Sequence, residues 1–123
     1  MGNKILIADD EPDMLTVVNF RLKKAGYETI VAVDGKEALE KARQCIPDIM
    51  IVDYRMPFMN GLEVCRAVKG DERLKHIPVV LLTASAEAMK MNQYQEAGIV
   101  SCIVKPFDPD ELQAVIAKFI LKT

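Results

Sequence analysis

Six side chains with acid, hydroxyl or ammonium chemistry sit at the ends of short apolar runs. Asp9, Asp10 and Glu11 follow KILIA, Asp53 follows DIMIV, Thr83 closes PVVLLT and Lys105 closes SCIVK. Singly, each has an ordinary structural explanation. An Asp caps helices well, acids suit the positive end of a helix dipole and Pro12 fits a first turn. Asp53 can start a turn, Thr83 can cap a helix with Ser85 nearby, and Lys105 can be a solvated loop charge. Capping accounts for one acid of the first cluster, not for all of it.

Charge then sets the chemistry. Two carboxylates about 4 Å apart repel by roughly 4 kcal/mol at an effective dielectric near 20, so three together require protonation or a bound cation. Oxygen ligands without His or Cys select magnesium, calcium or manganese, and a site with few protein ligands and retained waters suits magnesium completed by a phosphate oxygen. Lys105 and Thr83 are donors suited to a tetrahedral anion. Asp53, between the two sets, is placed to attack a phosphoryl group in line while cation and ammonium neutralise the spreading charge, giving an aspartyl phosphate.

These residues need elements that bring them together. Five apolar runs, 4–8, 27–33, 48–52, 78–83 and 101–105, alternate with five longer segments. Runs one, three and four lack polar alternation, as strands buried on both faces of a parallel sheet do. Between runs the period becomes helical. Met14, Val18, Leu22 and Ala25 recur at helical spacing and stop at Gly26; Asp34 with Glu37, and Asn60 with Glu63, resemble capping boxes; Leu112, Val115, Ile116, Phe119 and Ile120 give the last helix an apolar stripe. A fourth helix over about 86–97 is weakly stamped, with Ala86, Met89, Gln93 and Ala97 on one face. Strand and helix alternating five times predict an α/β (βα)5 domain with right-handed crossovers and helices on both faces of a five-stranded parallel sheet. Such sheets bind ligands beyond the carboxyl ends of their strands, where the strand order reverses.

Composition narrows the function. With 123 residues, half of them apolar, the chain suits one compact domain over 1–123. Sixteen basic and eighteen acidic residues leave a net charge of -2, which argues against nucleic-acid binding by this chain alone. Cys45, Cys65 and Cys102 form no C-x-x-C pair and His76 is the single histidine, so a thiolate metal site is not expected and a reduced, cytoplasmic setting is. Neither a signal-peptide pattern nor an apolar stretch of membrane-spanning length occurs, so no membrane insertion is expected.

With DD after the first run, VDYRMPFMNG at 52–61, LLTAS at 81–85 and VKPF at 104–107, the sequence resembles the receiver domain of two-component response regulators over essentially its whole length. The resemblance implies a flavodoxin-like sheet of order 2-1-3-4-5, a fold for which a receiver is itself a standard example. It implies a phosphorylation-activated signalling module in which Asp53 is the phosphoacceptor. Asp10 is a direct magnesium ligand, Asp9 holds a metal-bound water, Asp53 and the backbone carbonyl of Arg55 complete the metal set, and manganese is a possible substitute. Thr83 and Lys105 bind the phosphoryl group, Lys105 being paired to Asp53 beforehand. Met56, Pro57 and Gly61 shape the loop after Asp53, and Pro106 follows a cis peptide bond. Glu11 has no role in that scheme and stays with the helix start. The implied partners are a sensor histidine kinase or phosphotransfer protein and a downstream protein target; turnover catalysis is not implied beyond self-phosphorylation and slow self-dephosphorylation.

The chain departs from the family at Cys102, where receivers commonly carry an aromatic ring that moves during switching. The expected switch therefore works mainly through the loop after Thr83 and the fourth helix, with little aromatic rearrangement. The same departure supports an alternative, a phosphorylation-independent interaction module of the same fold. A magnesium-dependent phosphatase with an aspartyl intermediate fits the chemistry less well, because a D-x-D start and a substrate cap are missing, and neither a P-loop nor G-x-G-x-x-G favours a nucleotide site.

Overall fold

The computed structural model describes residues 3–84 and 97–120. Five parallel strands, β1 (Lys4–Ala8), β2 (Glu28–Ala32), β3 (Ile49–Asp53), β4 (Val79–Thr83) and β5 (Ile99–Val104), form one sheet of order β2-β1-β3-β4-β5. Four helices are described: α1 (Pro12–Lys24), α2 (Gly35–Cys45), α3 (Gly61–Lys69) and α4 (Pro109–Ile120). The expected helix over about 86–97 lies outside the described residues, apart from Ala97, which is buried.

The period of two along each strand divides the core. Leu6, Met50, Val52 and Leu81 pack with Ala38, Leu39, Val64 and Val68 on the α2 and α3 side. Ile5, Ile7, Ile49, Ile51, Val80, Leu82 and Ile103 pack with Leu15, Val18, Leu22, Leu112 and Ile116 on the α1 and α4 side. Both faces being covered explains why β1, β3 and β4 are continuous apolar runs.

The same alternation positions the polar residues. Asp9 follows Ile7 by two positions, Asp53 follows Ile51 and Lys105 follows Ile103, so all three continue the α1 and α4 face past the point where apolar packing ends. Register keeps them level. Val52 pairs with Ala8 and Leu81, and the Lys105 N–H donates to the Thr83 carbonyl at 2.7 Å.

The caps follow local chemistry. Asn60 accepts from the Glu63 N–H at 2.8 Å while the Glu63 carboxylate accepts from the Asn60 N–H at 2.9 Å, a full capping box. Asp34 accepts from the Glu37 N–H, but Glu37 reaches one residue further back, to the Val33 N–H at 3.0 Å. Gly26, at φ +98°, ends α1; its N–H donates to Lys23 and that of Tyr27 to Leu22, the Schellman pattern. The stripe of α1 differs from the sequence expectation. Leu15, Val18 and Leu22 are buried, Met14 is half-buried and Ala25 is exposed, because Ala25 is already the C-cap.

Candidate functional site

A cavity of about 390 Å³ opens at the carboxyl edge of the sheet, lined by Asp10, Glu11, Asp53, Tyr54, Arg55, Thr83, Ala84 and Lys105. Asp9 lies behind this lining with no exposed surface. Its Oδ1 accepts from the Glu11 N–H at 2.9 Å and its Oδ2 from the Lys105 ammonium at 2.7 Å. Lys105 also contacts Glu11 Oε1 at 3.0 Å and Asp53 Oδ1 at 3.2 Å. The ammonium thus faces three carboxylates and donates hydrogen bonds to two of them, Asp9 and Glu11.

Asp9, Asp10 and Asp53 each offer a carboxylate oxygen, and the three atoms lie within 4.8 Å of one another. Asp10 is exposed, whereas Asp53 and Thr83 are 6% and 2% exposed. Burial, followed by the charge of Asp9, pushes the Asp53 carboxyl up to about 6 despite the opposing effect of Lys105. Burial works against the Lys105 ammonium, but hydrogen bonds to Asp9 and Glu11 and the charge of Asp53 outweigh it and hold its pKa above the ordinary lysine value. The donor set fits a magnesium ion: hard oxygens, close together, on a wet cavity, with neither His nor Cys among them.

The loop after Asp53 is fixed by backbone contacts. The Gly61 N–H donates to the Tyr54 carbonyl at 2.9 Å, and the Tyr54 N–H to the Leu82 carbonyl at 2.7 Å. A Cβ on Gly61 would lie 2.6 Å from the Asp53 carbonyl oxygen and 2.5 Å from Leu81 Cδ1, so only glycine allows α3 to begin this close to β3. Met56 is half-buried against the α2 and α3 core, and Pro57 and Phe58 are exposed. The Lys105–Pro106 peptide is cis.

Asp9, Asp10, Asp53, Thr83 and Lys105 therefore meet at one edge, and Arg55 lines the same cavity. Cys102 does not line it. It is half-buried on β5, level with Leu81. Asp34 stays away, as the N-cap of α2. The reading of Glu11 as a helix-start residue is half right. Its backbone is the N-cap of α1, but its side chain makes no capping hydrogen bond and turns to Lys105. The signal was the third carboxylate of the cluster, one more than capping required.

The fold and the cavity define a doubly wound α/β protein with a carboxylate and ammonium site at its topological switch point. Residues 5–117 match the response regulator receiver domain family. The chain is 36% identical over 122 residues to the alkaline phosphatase synthesis transcriptional regulatory protein PhoP of Bacillus subtilis, covering 99% of this chain and 50% of that protein. Among solved structures it is similar to the chemotaxis response regulator CheY4 of Vibrio cholerae, with a TM-score of 0.90 and 34% identity over 97% of this chain and 99% of that one. It is also similar to the receiver domain of sensor histidine kinase PA1611 from Pseudomonas aeruginosa, a structure with a magnesium ion coordinated in the active site cleft, with a TM-score of 0.89 and 29% identity over 98% of each chain. The chain belongs to the response regulator receiver domain family, the phosphorylation-activated modules of two-component signalling. It spans about half the length of the curated relatives it matches. Among the described residues no helix is long and apolar enough to cross a membrane.

Proposed function

We propose that Asp53 accepts a phosphoryl group from the histidine of a partner kinase or phosphotransfer protein, and that residues 1–123 act as one receiver unit. An Asp53 carboxylate oxygen attacks phosphorus in line, the phosphorus–nitrogen bond of the donor breaks, and the leaving imidazole keeps the electron pair and takes a proton. With its carboxyl pushed up to about 6, Asp53 is ionised at neutral pH and more basic than a solvated aspartate, which suits a nucleophile.

Asp10, Asp53 and the Arg55 carbonyl hold the divalent cation, magnesium by preference. Asp9 acts from behind, because both of its oxygens are already engaged by Glu11 and Lys105. Magnesium, when bound, supplies positive charge to the phosphoryl oxygens. Thr83 and Lys105, which line the same cavity, bind those oxygens. Attack of water on the phosphorus breaks its bond to the Asp53 oxygen and releases inorganic phosphate, which gives slow self-dephosphorylation, so the protein is a switch and not a turnover enzyme. The output passes through the loop after Thr83 to a protein target, with Cys102 making a small contribution. The setting is the cytoplasm, consistent with cysteines that form no disulfide.

The observation that carries this reading is the Lys105 ammonium held between the buried Asp9 and Asp53. Incubation with acetyl phosphate and magnesium, followed by intact mass, tests it. A labile increment of one phosphoryl group that is missing in Asp53→Asn is expected. The absence of any increment in the wild type would instead support a fixed interaction module.

A further inference from the structure

The Lys105 ammonium donates to Asp9 and Glu11 and pairs more loosely with Asp53, at 3.2 Å. A phosphoryl group on Asp53 needs one of those donors, so one carboxylate has to let go. Asp9 is fully buried and its other oxygen is held by the Glu11 N–H, so releasing it strands a charge out of water. Asp53 carries the phosphoryl group itself and stays in place. The Glu11 side chain is 62% exposed and hydrates as it leaves.

We propose that Glu11 is a positioning residue, a placeholder that occupies a donor of Lys105 until the phosphoryl group arrives and then yields it. This inference rests on the phosphoacceptor role of Asp53. Two features of the fold support it. The Glu11 backbone already caps α1 while its side chain makes no capping bond, so the carboxylate can move without loosening the helix. Glu11 also lines both the site cavity and a second cavity beside it, formed with Asp13, Met14, Val17 and Phe107, which gives the side chain somewhere to go. The placeholder slows phosphorylation in two ways: Lys105 must first leave it, and its charge opposes the incoming anion. An exposed ion pair of this kind is weak, so its removal speeds phosphorylation by about threefold rather than by orders of magnitude.

The test is the rate of phosphorylation of the intact chain by acetyl phosphate at saturating magnesium, followed by mass, for the wild type, Glu11→Gln and Glu11→Asp. Magnesium affinity is measured separately by thermal unfolding. Glu11→Gln, which loses both contact and charge, is expected to react about threefold faster than the wild type, and Glu11→Asp, which loses the contact alone, faster than the wild type by a smaller factor. Asp keeps the charge but is one methylene too short to hold Lys105, so it separates contact from field. A Glu11→Gln rate at or below the wild type overturns the inference. So does a Glu11→Asp rate equal to the wild type when Glu11→Gln is faster, because bulk charge alone would then explain the gain. If the wild type takes up no phosphate at all, the phosphoacceptor reading falls and this inference falls with it.

Discussion

Lys105 is held closer to Asp9 than to Asp53, at 2.7 Å against 3.2 Å. The tighter partner is the carboxylate that lies behind the cavity, and the looser one is the carboxylate that lines it. Asp9 thereby anchors the ammonium in place, and Asp53 keeps enough unneutralised charge to remain basic and to attract a cation.

The first consequence concerns pH. The folded-state pKa of Asp53 is raised to about 6, mainly by burial, so between roughly pH 4 and 6 the folded chain binds more protons than the unfolded chain. This group's contribution to stability is therefore fully present below about pH 4 and is lost as pH rises through 6. Asp53→Asn removes that loss. Without magnesium, it is expected to be on the order of 2 kcal/mol more stable than the wild type at pH 7.5, with little difference at pH 4. Urea unfolding at the two pH values checks both the size and the sign.

Breaking the anchor has the opposite effect. Lys105→Met leaves Asp9 as a buried carboxylate without its cation, at a cost of about 3 kcal/mol. Combining it with Asp9→Asn restores part of the loss. A double-mutant cycle by chemical denaturation should give a coupling energy well above that of an exposed pair such as Arg21–Asp110.

Magnesium should stabilise the folded chain, by about 2.7 kcal/mol at a hundredfold excess over its dissociation constant. The gain is expected to vanish in Asp10→Asn, whose side chain faces the cavity. Thermal unfolding across a magnesium titration measures it.

Gly61→Ala places a methyl group 2.6 Å from the Asp53 carbonyl oxygen. Overpacking of this kind costs about 1–3 kcal/mol, and here the displaced atoms belong to the residue after which the site is built. Phosphorylation by acetyl phosphate is expected to slow along with the loss of stability, whereas Gly70→Ala, whose nearest neighbour would be 3.4 Å away, should leave the rate unchanged.

Much of this was legible in the sequence because strand period and strand order are local signals. The apolar runs gave all five strands, and reading the residue at each strand end brought Asp9, Asp10, Asp53, Thr83 and Lys105 to one edge. Boundaries moved where pairing extends a strand: β5 begins at Ile99, two residues before the expected run, because Ile99 pairs with Val79 ahead of a register shift. The role of Glu11 was not legible, because its backbone does cap α1 and a side chain's choice between a cap and a lysine 94 positions away depends on tertiary geometry. The order of the Lys105 contacts, with Asp9 nearest, was likewise hidden. It follows from the burial of Asp9, which spacing alone does not report.

The most direct measurement is a crystal structure of the chain grown with magnesium and beryllofluoride, which mimics a phosphoryl group on a carboxylate. The expected structure has beryllium bonded to an Asp53 carboxylate oxygen, the cation against Asp10 and the Arg55 carbonyl, and Thr83 and Lys105 within hydrogen-bonding distance of the fluorines. A mimic bound to any other carboxylate, or Lys105 still closed on all three acids with the mimic in place, would contradict it.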